Sequence, residues 1–239
     1  MIKGVIFDID NTLVDFCRMK DVSVREAIDA MVDAGLPISK SQAFKIIHGV
    51  FGEMGIEAHK LFQTFSKRAV GKVDHKIVGA AIVAHKRIWN GLLHTYPGVI
   101  RTLIQLREMG LKLSVVSDAN RIPAYERLYG ARVVDFFDFV VAHEDTHQYK
   151  PARKPFQHAL NLMKLQPAET VMVGDWIKGD VIGAKRLGLT TCWAKYGAYT
   201  KESKDLSDKA HLKRYKTKAD CTLQKIEDII KFVEKINKK

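Results

Sequence analysis

The first apolar run of the chain stops abruptly at two carboxylates. Residues 5–7 are Val, Ile and Phe, and Asp8 and Asp10 follow with one residue between them. Because a short continuous apolar run is typical of a buried strand, we predict a strand over residues 2–7 that carries two acids to a sheet edge. Taken alone, such a strand end fits a cation site, a nucleophile with its proton donor, or a capped turn.

The next stretch, from about residue 16 to residue 94, has apolar positions at helical rather than alternating spacing. The clearest apolar stripes are Val24, Ala27, Ile28, Met31 and Val32; Ala43, Phe44, Ile46, Ile47 and Val50; and residues 77–89. Glycine and proline predict breaks at residues 35–37 and 52–55. We therefore predict several helices that share an ordinary apolar core.

From residue 96 onward, helical segments alternate with short apolar runs. The runs lie at residues 111–116, 137–142, 170–173 and 190–194, and the last helical pattern covers residues 223–236. This alternation is typical of parallel strands joined by crossover helices. The predicted fold class is α/β, a Rossmann-like doubly wound parallel sheet with an α-helical insert after its first strand.

Polar or glycine-containing segments follow each predicted strand. Ser117 follows the second strand along the chain, and Asp175 follows the fourth. Ligands of open parallel sheets bind outside the carboxyl ends of the strands. We therefore expect Asp8, Asp10, Ser117 and Asp175 to line one crevice.

The composition is that of an ordinary globular protein with a basic surface. The chain has 239 residues, 46% of them hydrophobic, enough for one substantial core and a smaller module. Its 39 Lys and Arg against 27 Asp and Glu give a net charge of +12. The basic stretch of residues 209–218 lacks an arrangement of aromatics suited to base stacking. We therefore predict a solvated lysine-rich surface and no specific nucleic-acid partner.

The cysteines and the apolar segments indicate the cellular compartment of the protein. Cys17, Cys192 and Cys221 are odd in number and lack Cys-x-x-Cys spacing, so neither a disulfide framework nor a thiolate metal cluster is indicated. No signal-peptide pattern and no apolar segment of membrane-spanning length stands out. We predict a cytoplasmic protein without a membrane partner, in which an apolar helix of the insert could form a homodimer contact.

Phosphoryl transfer is the chemistry that needs these groups. Asp8 would attack phosphorus and form an aspartyl-phosphate, which splits one difficult displacement into two easier steps. Asp10 would protonate the leaving oxygen and later activate water. Because two carboxylates repel a phosphate dianion, a divalent cation is required, and oxygen ligands suit Mg²⁺. The expected ligands are a carboxylate oxygen of Asp8, the backbone carbonyl of Asp10, and Asp175, with Asp180 holding the metal's water shell or Asp175 itself.

Donors to the transferring phosphoryl group are expected as well. The Ser117 hydroxyl and the backbone N–H groups of Asp118 and Ala119, at the start of a predicted helix, would form an anion cradle. The loop of residues 148–156 would add a lysine, and it offers both Lys150 and Lys154. The predicted partner is a small phosphorylated metabolite.

Four motifs in order resemble those of the haloacid dehalogenase superfamily of hydrolases. They are Asp8-x-Asp10-x-Thr12, a strand ending in Ser117, Lys150-Pro151 six residues before Phe156, and Gly174-Asp175 with four residues before Asp180. Each motif is weak alone, but the order of all four is specific, and the resemblance covers nearly the whole chain.

The resemblance implies roles for particular residues. The spacing of the family between its lysine and the phenylalanine of the next helix selects Lys150 over Lys154. The catalytic set would be Asp8, Asp10, Ser117 and Lys150, the metal set Asp8, Asp10, Asp175 and Asp180, and the substrate-binding set Thr12, Asp118 and Ala119.

The resemblance also implies a domain organisation and a reaction. The helical insert is similar to the cap domain of the family, which places a cap at residues 16–94 and the Rossmann-like core at residues 1–15 and 95–239. The implied protein is a magnesium-dependent phosphatase acting on a small phosphomonoester, with a cap that closes over the active site and selects the substrate.

Two residues depart from the usual pattern of the family. Asp118 stands where many relatives carry Asn, and we expect its side chain to turn away so that only its N–H helps. Trp176 stands where small polar residues are common. It could line the pocket or pack against the neighbouring loop.

Several candidates also have simpler interpretations. Asp10 could form an Asx-type turn, and Asp180 could start a helix. Ser117 could only cap the following helix, Lys150 could be a surface lysine, and Thr12 could support the loop by hydrogen bonding. The order of the motifs favours a catalytic interpretation for Asp10.

Other reactions remain open at this point. Hydrolytic dehalogenases do without magnesium and without the second aspartate, so Asp10 and Asp175 argue against that activity. A phosphonate hydrolase needs a cap lysine, which the insert can supply. A phosphosugar mutase would use the same pair, Asp8 and Asp10, but keep water from the intermediate. A non-catalytic phosphate- or metal-binding module is the alternative outside the enzymes.

One further segment matches a zinc-binding motif by sequence alone. The segment from His143 to His147 matches the zinc-protease pattern His-Glu-x-x-His. That pattern requires a helix, whereas we expect residues 143–147 to form a connecting loop after the third strand. We therefore predict no zinc site there.

Overall fold

The structure is a computed structural model that describes residues 1–54, 60–198 and 218–238. The chain divides into two compact units, one of Met1–Cys17 with Leu93–Lys239 and one of Arg18–Leu92. Within the described residues, no helix combines the length and apolar character needed to cross a bilayer. The function of the second unit as a cap stays a prediction.

The first unit is built on one sheet of parallel strands in the order β3-β2-β1-β4-β5-β6. The strands are β1 (Gly4–Phe7), β2 (Lys112–Val116), β3 (Phe139–Val141), β4 (Thr170–Gly174), β5 (Thr190–Ala194) and β6 (Cys221–Leu223). The strand order runs outward in both directions from β1, so the topological switch point lies between β1 and β4. The predicted Rossmann-like α/β class is confirmed.

Helices connect these strands and make up the second unit. They are α1 (Phe16–Asp33), α2 (Lys40–Met54), α3 (Leu61–Val70), α4 (His75–Leu92), α5 (Val99–Glu108), α6 (Arg121–Gly130), α7 (His143–Thr146), α8 (Arg153–Met163), α9 (Gly183–Lys185) and α10 (Asp228–Asn237). A π-helix (Ile177–Ile182) precedes α9, and 3₁₀ turns lie at Val134–Phe136 and Pro167–Glu169.

The central strands are buried along their whole length, as expected for a parallel sheet. All residues of β1 and β4 are buried. Phe7 pairs in register with Val115 of β2 and with Val173 of β4. The residues that follow these strands therefore lie at one edge of the sheet, where the sequence places its acids and Ser117.

The second unit has the predicted apolar core. Val24, Ala27, Ile28 and Met31 of α1 pack in one cluster with residues of α2, α3 and α4. Helix α3 was not recognised in the sequence. The predicted break at residues 52–55 is wrong for Gly52, since α2 continues to Met54, and residue 55 lies outside the described residues.

The prediction for the C-terminal helix is wrong at its start. Leu223 lies in β6, where it pairs with Ala194, and the helix begins at Asp228. The Asp228 carboxylate accepts hydrogen bonds from the backbone N–H groups of Gln224 and Lys225, which ties the segment after β6 to the first turn of the helix. Leu223 fits the helical spacing of the apolar residues, but strand pairing determines its conformation.

Candidate active site

Asp8 lies where β1 meets the carboxyl edge of the sheet. Its backbone N–H donates to the carbonyl of Val173 at 2.9 Å, which extends the β1–β4 ladder by one residue. Its side chain is only 7% exposed. The loop then turns at Asn11, which has a left-handed φ of 57° and whose side-chain oxygen accepts the N–H of Cys17 at 2.9 Å. The strand end therefore presents Asp8 in a fixed position.

Lys150 joins two acids that are distant in sequence. Its Nζ donates to Asp8 Oδ1 at 2.6 Å and to Asp180 Oδ1 at 2.7 Å, and the residue is 4% exposed. Burial lowers the pKa of Lys150, but the charges of Asp180 and Asp8 outweigh burial and raise it well above its ordinary value. Lys150 is therefore a fixed cation. Lys154, the other candidate lysine, lies in the first turn of α8 rather than in the predicted loop and donates to the carbonyl of Thr146 instead.

Three carboxylates form a compact acidic cluster. One carboxylate oxygen from each of Asp8, Asp175 and Asp180 lies within 4.8 Å of the others. Burial, with the charges of Asp8 and Asp180, raises the pKa of Asp175. Burial raises the pKa of Asp180 to about 7, although Lys150 lowers it. The cluster therefore concentrates negative charge in a desolvated place.

Asp180 is tied into the turn that follows β4. Its Oδ2 accepts the backbone N–H of Trp176 at 2.9 Å, while Oδ1 accepts Lys150. Gly174 allows this approach, because a Cβ at that position would collide with the Asp180 carboxylate. Asp180 lies inside the π-helix and is fully buried. Its alternative use at a helix start is compatible with this position, since its carboxylate accepts the N–H of the residue that precedes the π-helix.

Thr12 connects the first and fourth motifs. Its hydroxyl accepts the backbone N–H of Asp175 at 3.1 Å and lies 3.5 Å from Asp8 Oδ2, to which it donates. The carbonyl of Thr12 accepts the hydroxyl of Tyr196 at 2.8 Å. These bonds support the loop, and contact of Thr12 with a substrate stays a prediction.

Ser117 and Asp118 follow β2 before the start of α6. The Ser117 hydroxyl accepts the backbone N–H of Ala119 at 3.1 Å. The expected position of Asp118 and Ala119 at the helix start is wrong, because α6 begins at Arg121. Asp118 Oδ1 accepts the backbone N–H of Lys150 at 2.8 Å, so this carboxylate holds the lysine loop. The anion cradle stays a prediction.

Asp10 is not one of the three clustered carboxylates, although its charge also raises the pKa of Asp175. Its Oδ1 is 3.0 Å from Nε of Arg127, a residue of α6. The sequence motifs do not indicate Arg127. The one sign of it in the sequence is an arginine on the apolar face of a helix, since Ala124 and Leu128 beside it are fully buried. An arginine in that place needs an anionic partner.

The histidine pattern lies in a different conformation from the one expected. Residues His143–Thr146 form one helical turn, α7, so the prediction of a loop is wrong for these four residues. His147 follows with a left-handed φ of 53°. The His143 ring stacks on Tyr149 with 4.0 Å between ring centroids. The two histidines therefore do not lie on successive turns of one long helix.

Comparisons with known proteins agree with this geometry. The sequence profile described as haloacid dehalogenase-like hydrolase matches residues 5–194, a range that includes all four motifs. The chain belongs to the haloacid dehalogenase-like hydrolase family. The glyceraldehyde 3-phosphate phosphatase of Methanocaldococcus jannaschii is 34% identical over 238 residues, covering 100% of both chains.

Other members of the haloacid dehalogenase-like family are also similar along the whole chain. Pyrophosphatase PpaX of Bacillus mycoides is 29% identical over 99% of both chains. The structure of a phosphatase of this family from Thermococcus onnurineus has a TM-score of 0.68 at 24% identity, covering 97% of this chain and 98% of that one. The predicted family, fold and enzyme class, a phosphatase of the haloacid dehalogenase type, are confirmed.

Proposed function

We propose that this phosphatase hydrolyses a small phosphomonoester through an aspartyl-phosphate on Asp8 and depends on Mg²⁺. One observation carries the proposal. Asp8, Asp175 and Asp180 converge at the switch point of the sheet, and Lys150 bonds two of them from a buried position. A buried cation beside a nucleophile and an acidic cluster suits an anionic phosphoryl group.

The donor set fits a hard divalent cation. Carboxylate oxygens are the ligands that Mg²⁺ prefers, and burial raises the pKa of Asp175, which a bound cation would counteract. Asp8, Asp175 and the backbone carbonyl of Asp10 would hold the ion, and Asp180 would support it through its contacts with Lys150 and Trp176. The ion would supply positive charge that lets an anionic substrate approach the carboxylates.

Each residue of the proposed active site then has a defined role. Asp8 attacks phosphorus, and Lys150 stabilises the negative charge on the transferring group. Asp10 gives a proton to the leaving oxygen and later takes one from water. Ser117 binds a phosphoryl oxygen. Thr12 links the first and fourth motifs through its hydrogen bonds to Asp8 and Asp175.

The substrate we propose is a short phosphorylated sugar derivative. Several relatives about one third identical to this chain are named glyceraldehyde 3-phosphate phosphatase, so glyceraldehyde 3-phosphate is the first compound to test. Inorganic pyrophosphate is the second, because PpaX is also similar along the full chain. We also propose that the unit Arg18–Leu92 acts as a cap that selects the substrate. A cytoplasmic location and a homodimer stay predictions.

Phosphate release tests this proposal. The purified protein is assayed with glyceraldehyde 3-phosphate, pyrophosphate and an aryl phosphate, each with Mg²⁺ and with a chelator. We expect Mg²⁺-dependent turnover that is lost in Asp8→Asn and kept in Asp135→Asn, a matched change at an exposed aspartate.

Three results would contradict the proposal. Binding of phosphate without turnover on any substrate would support the non-catalytic module. Conversion of a phosphosugar to its isomer without phosphate release would support the mutase, and release of phosphate from a phosphonate alone would support the phosphonate hydrolase.

A further inference from the structure

Arg127 places a buried positive charge beside Asp10. The residue lies on α6 and is 2% exposed, between the fully buried Ala124 and Leu128. Its Nε lies 3.0 Å from Asp10 Oδ1, and its guanidinium carbon lies 4.4 Å from the centroid of the Phe16 ring. The guanidinium therefore contacts both an acid and an aromatic face, and both interactions favour a cation.

We propose that Arg127 is a positioning residue that holds the Asp10 carboxylate for proton transfer to the leaving group. This inference rests on the proposed function, because it assumes that Asp10 is the acid and base of the reaction. Asp10 lies on a loop beyond the end of β1, next to the left-handed turn at Asn11. A carboxylate on a loop needs a fixed partner to stay within hydrogen-bond reach of a reacting atom.

The two carboxylate oxygens of Asp10 have different roles in this inference. Oδ1 faces Arg127, while the side chain as a whole keeps 27% exposure against 2% for Arg127. The proton exchange with the leaving group then falls to the other oxygen, Oδ2. Phe16 and the rigid helix α6 fix the guanidinium, so Arg127 acts on the reaction through the orientation of Asp10 and does not touch the substrate.

A double-mutant cycle tests this inference. The variants are Arg127→Met, Asp10→Asn and the double variant, assayed for kcat/KM on an alkyl and an aryl phosphate, because kcat/KM reports the step that expels the leaving group. Because an alkoxide is a poorer leaving group, we expect Arg127→Met to lower kcat/KM on the alkyl phosphate at least about tenfold more than on the aryl phosphate. In the Asp10→Asn background, the same change should have almost no further effect.

A role of Arg127 in packing that does not act through Asp10 gives a different pattern. In that case Arg127→Met lowers kcat/KM on both substrates equally, and the effects of the two substitutions multiply in the double variant, which would overturn the inference. Arg121→Met is the matched control, since Arg121 lies on the same helix and pairs with Asp145 away from Asp10. If Arg127→Met does not fold, Arg127→Lys replaces it in the cycle with the same criteria.

The inference and the proposed function fail in distinguishable ways. If Asp8→Asn abolishes turnover but Asp10→Asn shows no preference between the two leaving groups, the phosphatase stands and the role of Arg127 is overturned. If the wild-type protein releases no phosphate under any condition, the proposed function itself is wrong.

Discussion

The ammonium group of Lys150 lies between two carboxylates that come from different motifs. Asp8 ends β1 and Asp180 lies in the π-helix after β4, and Lys150 bonds both from the loop before α8. The backbone of the same lysine is held by Asp118. Because every partner is buried or half-buried, the position of the charge is determined by the fold rather than by the rotamer freedom of a surface lysine.

Replacing Lys150 tests the contribution of this charge. We expect Lys150→Met to lower kcat by at least about 100-fold, because it removes a fixed donor to the transferring phosphoryl group. Lys154→Met is the matched control, since Lys154 lies nearby in the first turn of α8 and donates to the backbone carbonyl of Thr146. Steady-state phosphate release measures both. Equal losses in the two variants would contradict a specific role for Lys150.

The sequence predicts some of these residues better than others. Asp8, Ser117 and Asp175 can be identified because each follows an apolar run that forms a strand. The use of the Asp118 side chain could not be predicted: it holds the backbone of Lys150, a contact between segments far apart in the sequence. Arg127 could not be predicted for the same reason, because its partner, Asp10, lies in the first loop of the chain.

At the scale of elements, the turn from β4 into the π-helix controls the acidic cluster. Gly174 ends β4, the N–H of Trp176 bonds Asp180, and Gly179 packs where a Cβ would collide with the Trp176 ring. The two glycines let the chain fold back closely enough for Asp180 to reach Lys150. The geometry of the turn is therefore part of the site.

A glycine substitution tests this turn. In Gly174→Ala the new Cβ collides with the Asp180 carboxylate, so we expect a loss of about 1–3 kcal/mol in the free energy of unfolding and a large loss of kcat. Gly79→Ala is the matched control, because Gly79 is exposed within α4 with open space around it, and we expect a gain of up to about 1 kcal/mol. Thermal unfolding and kinetics measure both. Unchanged activity in Gly174→Ala would contradict the role of the turn.

Apart from α3, the elements that the sequence did not predict are short or are determined by distant pairing. Strand β6 has only three residues. Its first residue, Cys221, pairs in register with Cys192 of β5. Local spacing cannot show such a contact, so Leu223 was assigned to the helix that follows. By contrast, the long amphipathic helices of the second unit have periodic sequences, and their apolar faces were predicted from that spacing.

At the scale of the whole molecule, the acidic cluster links stability to pH. The pKa of Asp180 is raised from 3.8 to about 7 in the folded protein, mainly by burial. The folded state therefore binds a proton more tightly than the unfolded state, and this stabilising contribution is lost as the pH rises from about 4 to about 7. A cation bound to the ionised cluster would offset this loss of stability.

Thermal unfolding as a function of pH measures this linkage. Without metal, we expect Asp180→Asn to lose less stability than the wild type between pH 4 and pH 7, the window set by the Asp180 pKa. Added Mg²⁺ should raise the Tm of the wild type more above this window than below it, because protons compete with the ion for the carboxylates. A Tm that does not respond to Mg²⁺ at either end would contradict a metal site at the cluster.

The covalent step on Asp8 has a direct test. The protein is mixed with Mg²⁺ and a substrate labelled in its phosphoryl group, quenched in acid during the first turnovers, and mapped by peptide mass spectrometry. We expect the phosphoryl group on the peptide that contains Asp8, and no label in Asp8→Asn. Turnover without any labelled peptide, or with the label on Ser117, would contradict Asp8 as the nucleophile.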